Sequence, residues 1–243
     1  MGVLFSYNRK LHFLLYEARE KGEFMEYIVY EDKQIIVCRK PSGLAVQNAS
    51  FGKKDLESMV KTYLFEKEGR ANPYLGVIHR LDQPVQGLVV FAKDAKSAAS
   101  LSAQVQNGQM KKYYKAVSCK IPEEKEGMLI HFLRKNGKTN CSEAVSERST
   151  GAKKAQLYYK VLEEKEKYAL LEIELFTGRH HQIRVQMAAS HMPLAGDQKY
   201  NPETKKGEQI ALCACRLQLR HPITGKQMTF TCEPEGGIFD LFH

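Results

Sequence analysis

The stretch Tyr74-Leu-Gly-Val-Ile-His-Arg-Leu-Asp-Gln-Pro-Val-Gln-Gly-Leu-Val-Val-Phe-Ala92 sets two apolar runs, Leu75 to Ile78 and Leu88 to Ala92, around a polar cluster of His79, Arg80 and Asp82. Both runs are rich in the β-branched residues that suit buried strands. Pro84 has no backbone N–H and Gly87 tolerates angles closed to other residues, so the chain between the runs is expected to form a tight, defined turn. A turn anchored at both ends presents its side chains rigidly. By spacing alone, Arg80 and Asp82 read first as a surface ion pair in an ordinary loop, and the rest of the chain must decide between the two.

The chain has 243 residues, enough for one large domain or two small ones with a substantial core. Its apolar content of 43%, against 27% charged residues, is that of a globular protein and not of a disordered one. Lys and Arg number 37 against 28 Asp and Glu, a formal charge of +9, which favours a polyanionic partner and nucleic acid first among them. Six cysteines show no CxxC pair, and reduced thiols account for them most simply. Cys213 and Cys215 would share one face of a strand, but two thiols without matching ligands make a poor zinc site, so no metal is expected. No apolar run approaches the roughly 18 residues of a membrane helix. The N-terminal run Leu11 to Tyr16 contains His12 and is too short for a signal-peptide core, while Glu17, Glu20 and Glu23 oppose a transit peptide. A cytoplasmic protein is expected.

Residues 1–26 have no clean period, although Leu11, Leu14, Leu15 and Ala18 could line one helical face; they read as an N-terminal extension on a domain spanning 27–243. Tyr27 to Arg39 reads as two short strands broken at Glu31-Asp32-Lys33, followed by a turn at Pro41-Ser42-Gly43. Leu56, Met59, Val60, Tyr63 and Leu64 have helical spacing, with a stop near Gly69. Asp94 is placed to cap a helix running to about Val105, and Asn107-Gly108 to end it. Met110 to Val117 alternates basic and aromatic residues as a strand would, with Tyr114 and Ala116 on one face. Glu123 to Gly151 is polar, with one strand-like island at Met128 to Leu133 and a turn at Lys135 to Lys138. Arg134, Lys135, Lys138, Arg148, Lys153 and Lys154 there could follow a phosphate backbone or simply be solvated. Ala155 to Leu162 and Tyr168 to Phe176 read as a hairpin around Glu163 to Lys167.

That hairpin delivers the chain to Thr177-Gly-Arg-His-His-Gln-Ile-Arg-Val-Gln-Met-Ala188, which starts at a turn and becomes helical, Ile183 and Met187 lying four apart. Backbone N–H groups at a helix start, with Arg179, His180 and His181, suit a phosphate. An HExxH arrangement is absent, which disfavours metal hydrolase chemistry.

His79-Arg80-Leu81-Asp82, Lys112-x-Tyr114-x-Ala116 and Gly178-Arg179-x-His181-Gln182-Ile183-Arg184 together resemble motifs of the RluA-type family of RNA pseudouridine synthases. So do the Lys40-Pro41-Ser42-Gly43 turn, Pro193 to Tyr200 with its Gly196-Asp197, the strand Ile210 to Leu217 and the turn His221 to Gly225. The resemblance runs in order from Tyr27 to about Pro234. It departs from the family at Gln83-Pro84-Val85-Gln86, at Gln186 and at Cys213, where substrate-setting contacts would differ.

The resemblance implies an α+β fold, a mixed, largely antiparallel sheet flanked by helices with a central catalytic cleft. It implies isomerisation of uridines in ribosomal or transfer RNA to pseudouridine, without cofactor or metal, by a protein expected to be monomeric. Asp82 would be the catalytic carboxylate, Arg184 its partner and Tyr114 the stacking surface for the target base. A guanidinium there favours the charged carboxylate and can fix its direction with two parallel hydrogen bonds. His79, Arg80, Lys112, Arg179, His181, Gln182 and Leu212 would contact the RNA, Arg80 filling the space left by a flipped base. A non-catalytic RNA-binding protein or RNA chaperone on the same fold would share the basic surface but would not need Asp82 and Arg184.

Overall fold

The structure, a computed structural model, describes residues 25–47, 54–69 and 71–242. In chain order its strands are β1 (Ile28–Glu31), β2 (Ile35–Lys40), β3 (Gly76–Val77), β4 (Gln86–Ala92), β5 (Lys111–Ser118), β6 (Glu126–Asn136), β7 (Cys141–Val145), β8 (Lys153–Lys165), β9 (Tyr168–Leu175), β10 (Leu212–Arg220) and β11 (Gln227–Thr231). They form one sheet in the order β1-β2-β4-β10-β5-β9-β8-β6-β7, with β3 on β4 and β11 on β10. β4 and β10 run parallel; the other pairs are antiparallel. The expected mixed, largely antiparallel α+β architecture is the one observed.

The apolar run opened by Leu88 is β4, and every residue of that strand is buried between β2 and β10. A strand covered on both faces has no need of polar alternation. Helix α1 (Leu56–Glu68) begins at a reciprocal cap in which Asp55 accepts from Ser58 N, and ends at Gly69 in the left-handed region. Its Leu56, Val60 and Leu64 join Ile36, Cys38, Val89 and Phe91 in the main core. Helix α2 (Ala95–Gln106), capped by Asp94, sends Leu101 to the other side of the sheet, onto Ile35, Val37, Leu88 and Val90. Alternate residues of β2 and β4 thus feed two cores, α1 packing into one and α2 into the other. Helix α3 (Gln182–Ala189) packs on β6 and β7.

Several expectations need correction. The polar region after Glu123 is no loop with one strand-like island but a hairpin, β6 and β7 turning at 137–140. Both strands lie toward the sheet's edge and β6 leaves Met128 and Ile130 half exposed, so polar residues fit them and hydrophobicity does not mark them. β8 likewise reaches Lys165, shrinking the charged turn to Glu166 and Lys167. The run Leu75 to Ile78 yields only the two residues of β3, with Leu75 packed into the main core and Ile78 against the opposite one. Of the N-terminal extension, residues 1–24, with Leu11, Leu14, Leu15 and Ala18, lie outside the described residues.

Candidate active site

The loop between β3 and β4, which carries Asp82, is stapled to the turn after β2. Lys40 is wholly buried, and its Nζ donates to the carbonyls of Pro41 (2.9 Å), Leu44 (2.6 Å) and Gln83 (3.0 Å). Burial pulls its pKa down to about 7, against the opposing pull of the Asp82 carboxylate. Ser42 Oγ donates to Pro84 O (2.8 Å), Gly43 N to Gln83 O (3.0 Å) and Gln83 Nε2 to Gly43 O (2.9 Å). At the start of β4, Gln86 exchanges two hydrogen bonds with the backbone of Glu235, at 2.9 and 3.1 Å. Gly87 has φ +123°, and a Cβ there would lie 2.5 Å from the N and O of Ala214, so glycine is what lets the loop enter the sheet beside β10. The side chains of Gln83 and Gln86, two of the departures, hold the loop to its own protein.

Asp82 is about one-quarter exposed, and its Oδ2 accepts from Arg184 Nη1 at 3.2 Å. Arg184 reaches it from α3, nearly buried, with its other nitrogens locked on Asp197: Nε to Oδ2 at 2.9 Å and Nη2 to Oδ1 at 2.6 Å. Asp197 is fully buried and also accepts from the backbone N–H groups of Lys199 and Tyr200. The parallel fork expected between Arg184 and Asp82 is therefore made to Asp197, and Asp82 receives the remaining nitrogen. Ionic attraction to both carboxylates raises the Arg184 pKa despite burial, so the guanidinium stays charged.

His181 caps α3 in the left-handed region, φ 53° and ψ 26°. Its Nδ1 is 2.7 Å from Tyr200 Oη, its Nε2 is 3.7 Å from Asp82 Oδ2, and His180 stacks on it with ring centroids 3.8 Å apart. Tyr200 Oη accepts from Ser142 N at 2.7 Å, and Ser142 Oγ lies 2.9 Å from His180 Nδ1, so the unforeseen strand β7 braces the site. Gln182, expected to face RNA, is buried. It donates to Gln156 O and Gln186 Oε1 and accepts from Thr177 Oγ1 and Arg179 N, which shapes the 177–182 turn.

Tyr114 lies in the main core, 6% exposed, and its hydroxyl has no partner among the described residues. Burial and the charge of Asp82 raise its pKa, so it is a neutral phenol. Leu212 pairs across strands with Ala116 and belongs to the same cluster. Lys112 is half-buried, its Nζ within 3.7 Å of where a Cβ on Gly178 would stand, and it has no described partner; burial lowers its pKa. His79 turns back into the fold, its Nε2 accepting from Val90 N at 3.3 Å, and burial holds its pKa at about 3. Arg80 is exposed and unpaired among the described residues. Arg179 is exposed and donates to Lys154 O at 3.0 Å. The fold thus gathers Asp82, Arg184 and His181 around one carboxylate and places Tyr114 near enough to feel its charge, leaves Arg80, Lys112 and Arg179 as cations, and turns His79 and Gln182 inward. Lys40, Ser142, Asp197 and Tyr200 went unassigned; the Gly196-Asp197 pair with Tyr200 three residues on was the signal for two of them.

The mixed sheet with its flanking helices has solved counterparts. Human RNA pseudouridylate synthase domain containing 4 superposes with a TM-score of 0.73 at 24% identity, over 88% of this chain and 90% of that one. Human RNA pseudouridylate synthase domain containing 1 gives 0.69 at 20%, over 85% and 82%. These define the fold as that of pseudouridylate synthases.

The model of the family described as RNA pseudouridylate synthase matches residues 34–189. An uncharacterized RNA pseudouridine synthase of Mycoplasma pneumoniae is 32% identical over 85% of this chain and 66% of its own length. One of Bacillus subtilis is 32% identical over 86% and 70%. Ribosomal large subunit pseudouridine synthase D of Neisseria meningitidis is 34% identical over 88% and 59%. The chain therefore spans between 59% and 70% of the length of these three relatives. It belongs to the RNA pseudouridylate synthase family.

Proposed function

We propose that this protein isomerises selected uridines of ribosomal or transfer RNA to pseudouridine, with Asp82 as the catalytic carboxylate. The observation that carries the reading is the chain Asp82–Arg184–Asp197. A buried, permanently charged guanidinium is fixed as a fork on one carboxylate so that its last nitrogen holds a second, solvent-reaching one. Asp82 acts on the ribose, as nucleophile or base, while the N1–C1′ bond breaks; uracil turns, the C5–C1′ bond forms, C5 loses its proton and N1 gains one. Tyr114 stacks on the flipped base, with Leu212 packed beside it. Flipping a base costs a few kcal/mol, and Arg80, exposed beside Asp82, takes the vacated space or grips a phosphate. Arg80, Lys112 and Arg179 meet the RNA backbone, and no metal or cofactor takes part. The protein works as a monomer in the cytoplasm, and its similarity to ribosomal large subunit pseudouridine synthase D of Neisseria meningitidis favours ribosomal RNA.

Bulk RNA from a strain lacking the gene, incubated with the purified protein, is the test. Pseudouridine should appear at a small number of mapped positions; a protein that binds the RNA yet forms none under any condition would be a binding module instead.

A further inference from the structure

His181 is poorly placed to meet an RNA phosphate, because it is 7% exposed and both ring nitrogens face protein groups. Tyr200 Oη already accepts the Ser142 N–H, so its own proton finds its acceptor in His181 Nδ1. That leaves the ring's proton on Nε2, the nitrogen facing Asp82. His180 stacked on one side and Tyr200 edge-on at 5.6 Å fix the ring, and the backbone is held in the left-handed region, a conformation that persists in a non-glycine residue only where its surroundings dictate it.

We propose that His181 is a positioning residue for Asp82: a neutral imidazole whose Nε2–H supports the carboxylate beside Arg184, in a tautomer set by Tyr200. This rests on the reading of Asp82 as the catalytic carboxylate. The groups facing the imidazole are Asp82, Arg184, His180, Lys199 and Tyr200; burial, against the pull of Asp82, lowers its pKa to about 4, so the ring is neutral at physiological pH. At 3.7 Å the contact is longer than a hydrogen bond in the free protein, as catalytic contacts often are before substrate closes the site. Both supports address Oδ2, whereas Oδ1 has no partner among the described residues. Oδ1 is therefore the oxygen left to meet the ribose.

The full chain, labelled with ¹⁵N-histidine, is examined by long-range ¹H–¹⁵N correlation NMR without RNA, and release of tritium from RNA carrying [5-³H]uridine is then measured for wild type, Tyr200→Phe and His181→Ala. The wild-type spectrum should show His181 with its proton on Nε2, and Tyr200→Phe should lose that preference. Both variants should lower kcat at least tenfold while KM and its salt dependence change less than twofold. A wild-type proton on Nδ1 overturns the proposal, as does a His181→Ala enzyme with unchanged kcat and raised KM, the signature of a phosphate contact. Should His181→Ala fail to fold, the spectra of wild type and Tyr200→Phe decide. If wild type releases no tritium from any RNA, the functional reading fails, and the spectra alone still decide the arrangement at His181.

Discussion

Arg184 stands between two carboxylates with different duties. Asp197, wholly buried, holds it; Asp82, open to the cleft, uses what remains. Removing one partner of a buried pair strands the other, which costs about 3–5 kcal/mol. Asp197→Ala should therefore lower stability by about that amount in urea titration and abolish activity, although Asp197 meets no substrate. Arg184→Lys keeps the charge but cannot form the fork and reach Asp82 together; kcat should fall at least a hundredfold, read by tritium release at saturating RNA. Lys40 does for the Asp82 loop what Asp197 does for Arg184. Its three carbonyl acceptors would be bare in Lys40→Met, costing about 1–3 kcal/mol, with the loss expressed as a displaced Asp82 loop.

Among the elements, β4 does most to position the site, since its first residues leave the catalytic loop and enter the sheet parallel to β10. Gly87→Ala would drive a methyl into the backbone of Ala214 at a positive φ; a loss on the order of 3 kcal/mol is expected by thermal denaturation. How much of this could be read from sequence follows from what each element asks of its residues. β4, β9, the helix of Leu56, Val60 and Leu64 with its stop at Gly69, and the helix capped by Asp94 were legible because burial, capping or chain reversal demands particular residue types. β6 and β7 were not, since strands near the edge of a sheet tolerate the polar residues of a loop. At the site, Asp82 and Arg184 stood out through their motifs, whereas the inward turn of His79 and Gln182 depends on backbone direction, which a motif does not encode. Gln83 and Gln86, read as places where substrate choice differs, act through Gly43 and Glu235 as loop ties.

Across the molecule, the basic surplus and the enclosed histidines predict different responses to solvent. His79 and His181, at about 3 and about 4, lie below the ordinary histidine value because burial disfavours their charge. The unfolded chain, whose histidines titrate near 6.5, takes up protons that the native state refuses. Their contribution is complete above about pH 6.5 and is lost as pH falls toward 4, at on the order of 1.4 kcal/mol per pH unit for each histidine. His79→Gln should flatten the fall in urea midpoint between pH 6.5 and 4.5. RNA binding should weaken linearly in log salt, and Arg179→Ala should reduce that slope by about one. The central claim is that Asp82 is the reacting carboxylate, and it is tested most directly by comparing wild type with Asp82→Asn on RNA carrying [5-³H]uridine, with RNA binding measured alongside. The account predicts tritium release by wild type and none by Asp82→Asn, whose RNA affinity stays within twofold; equal release by the two proteins would contradict it.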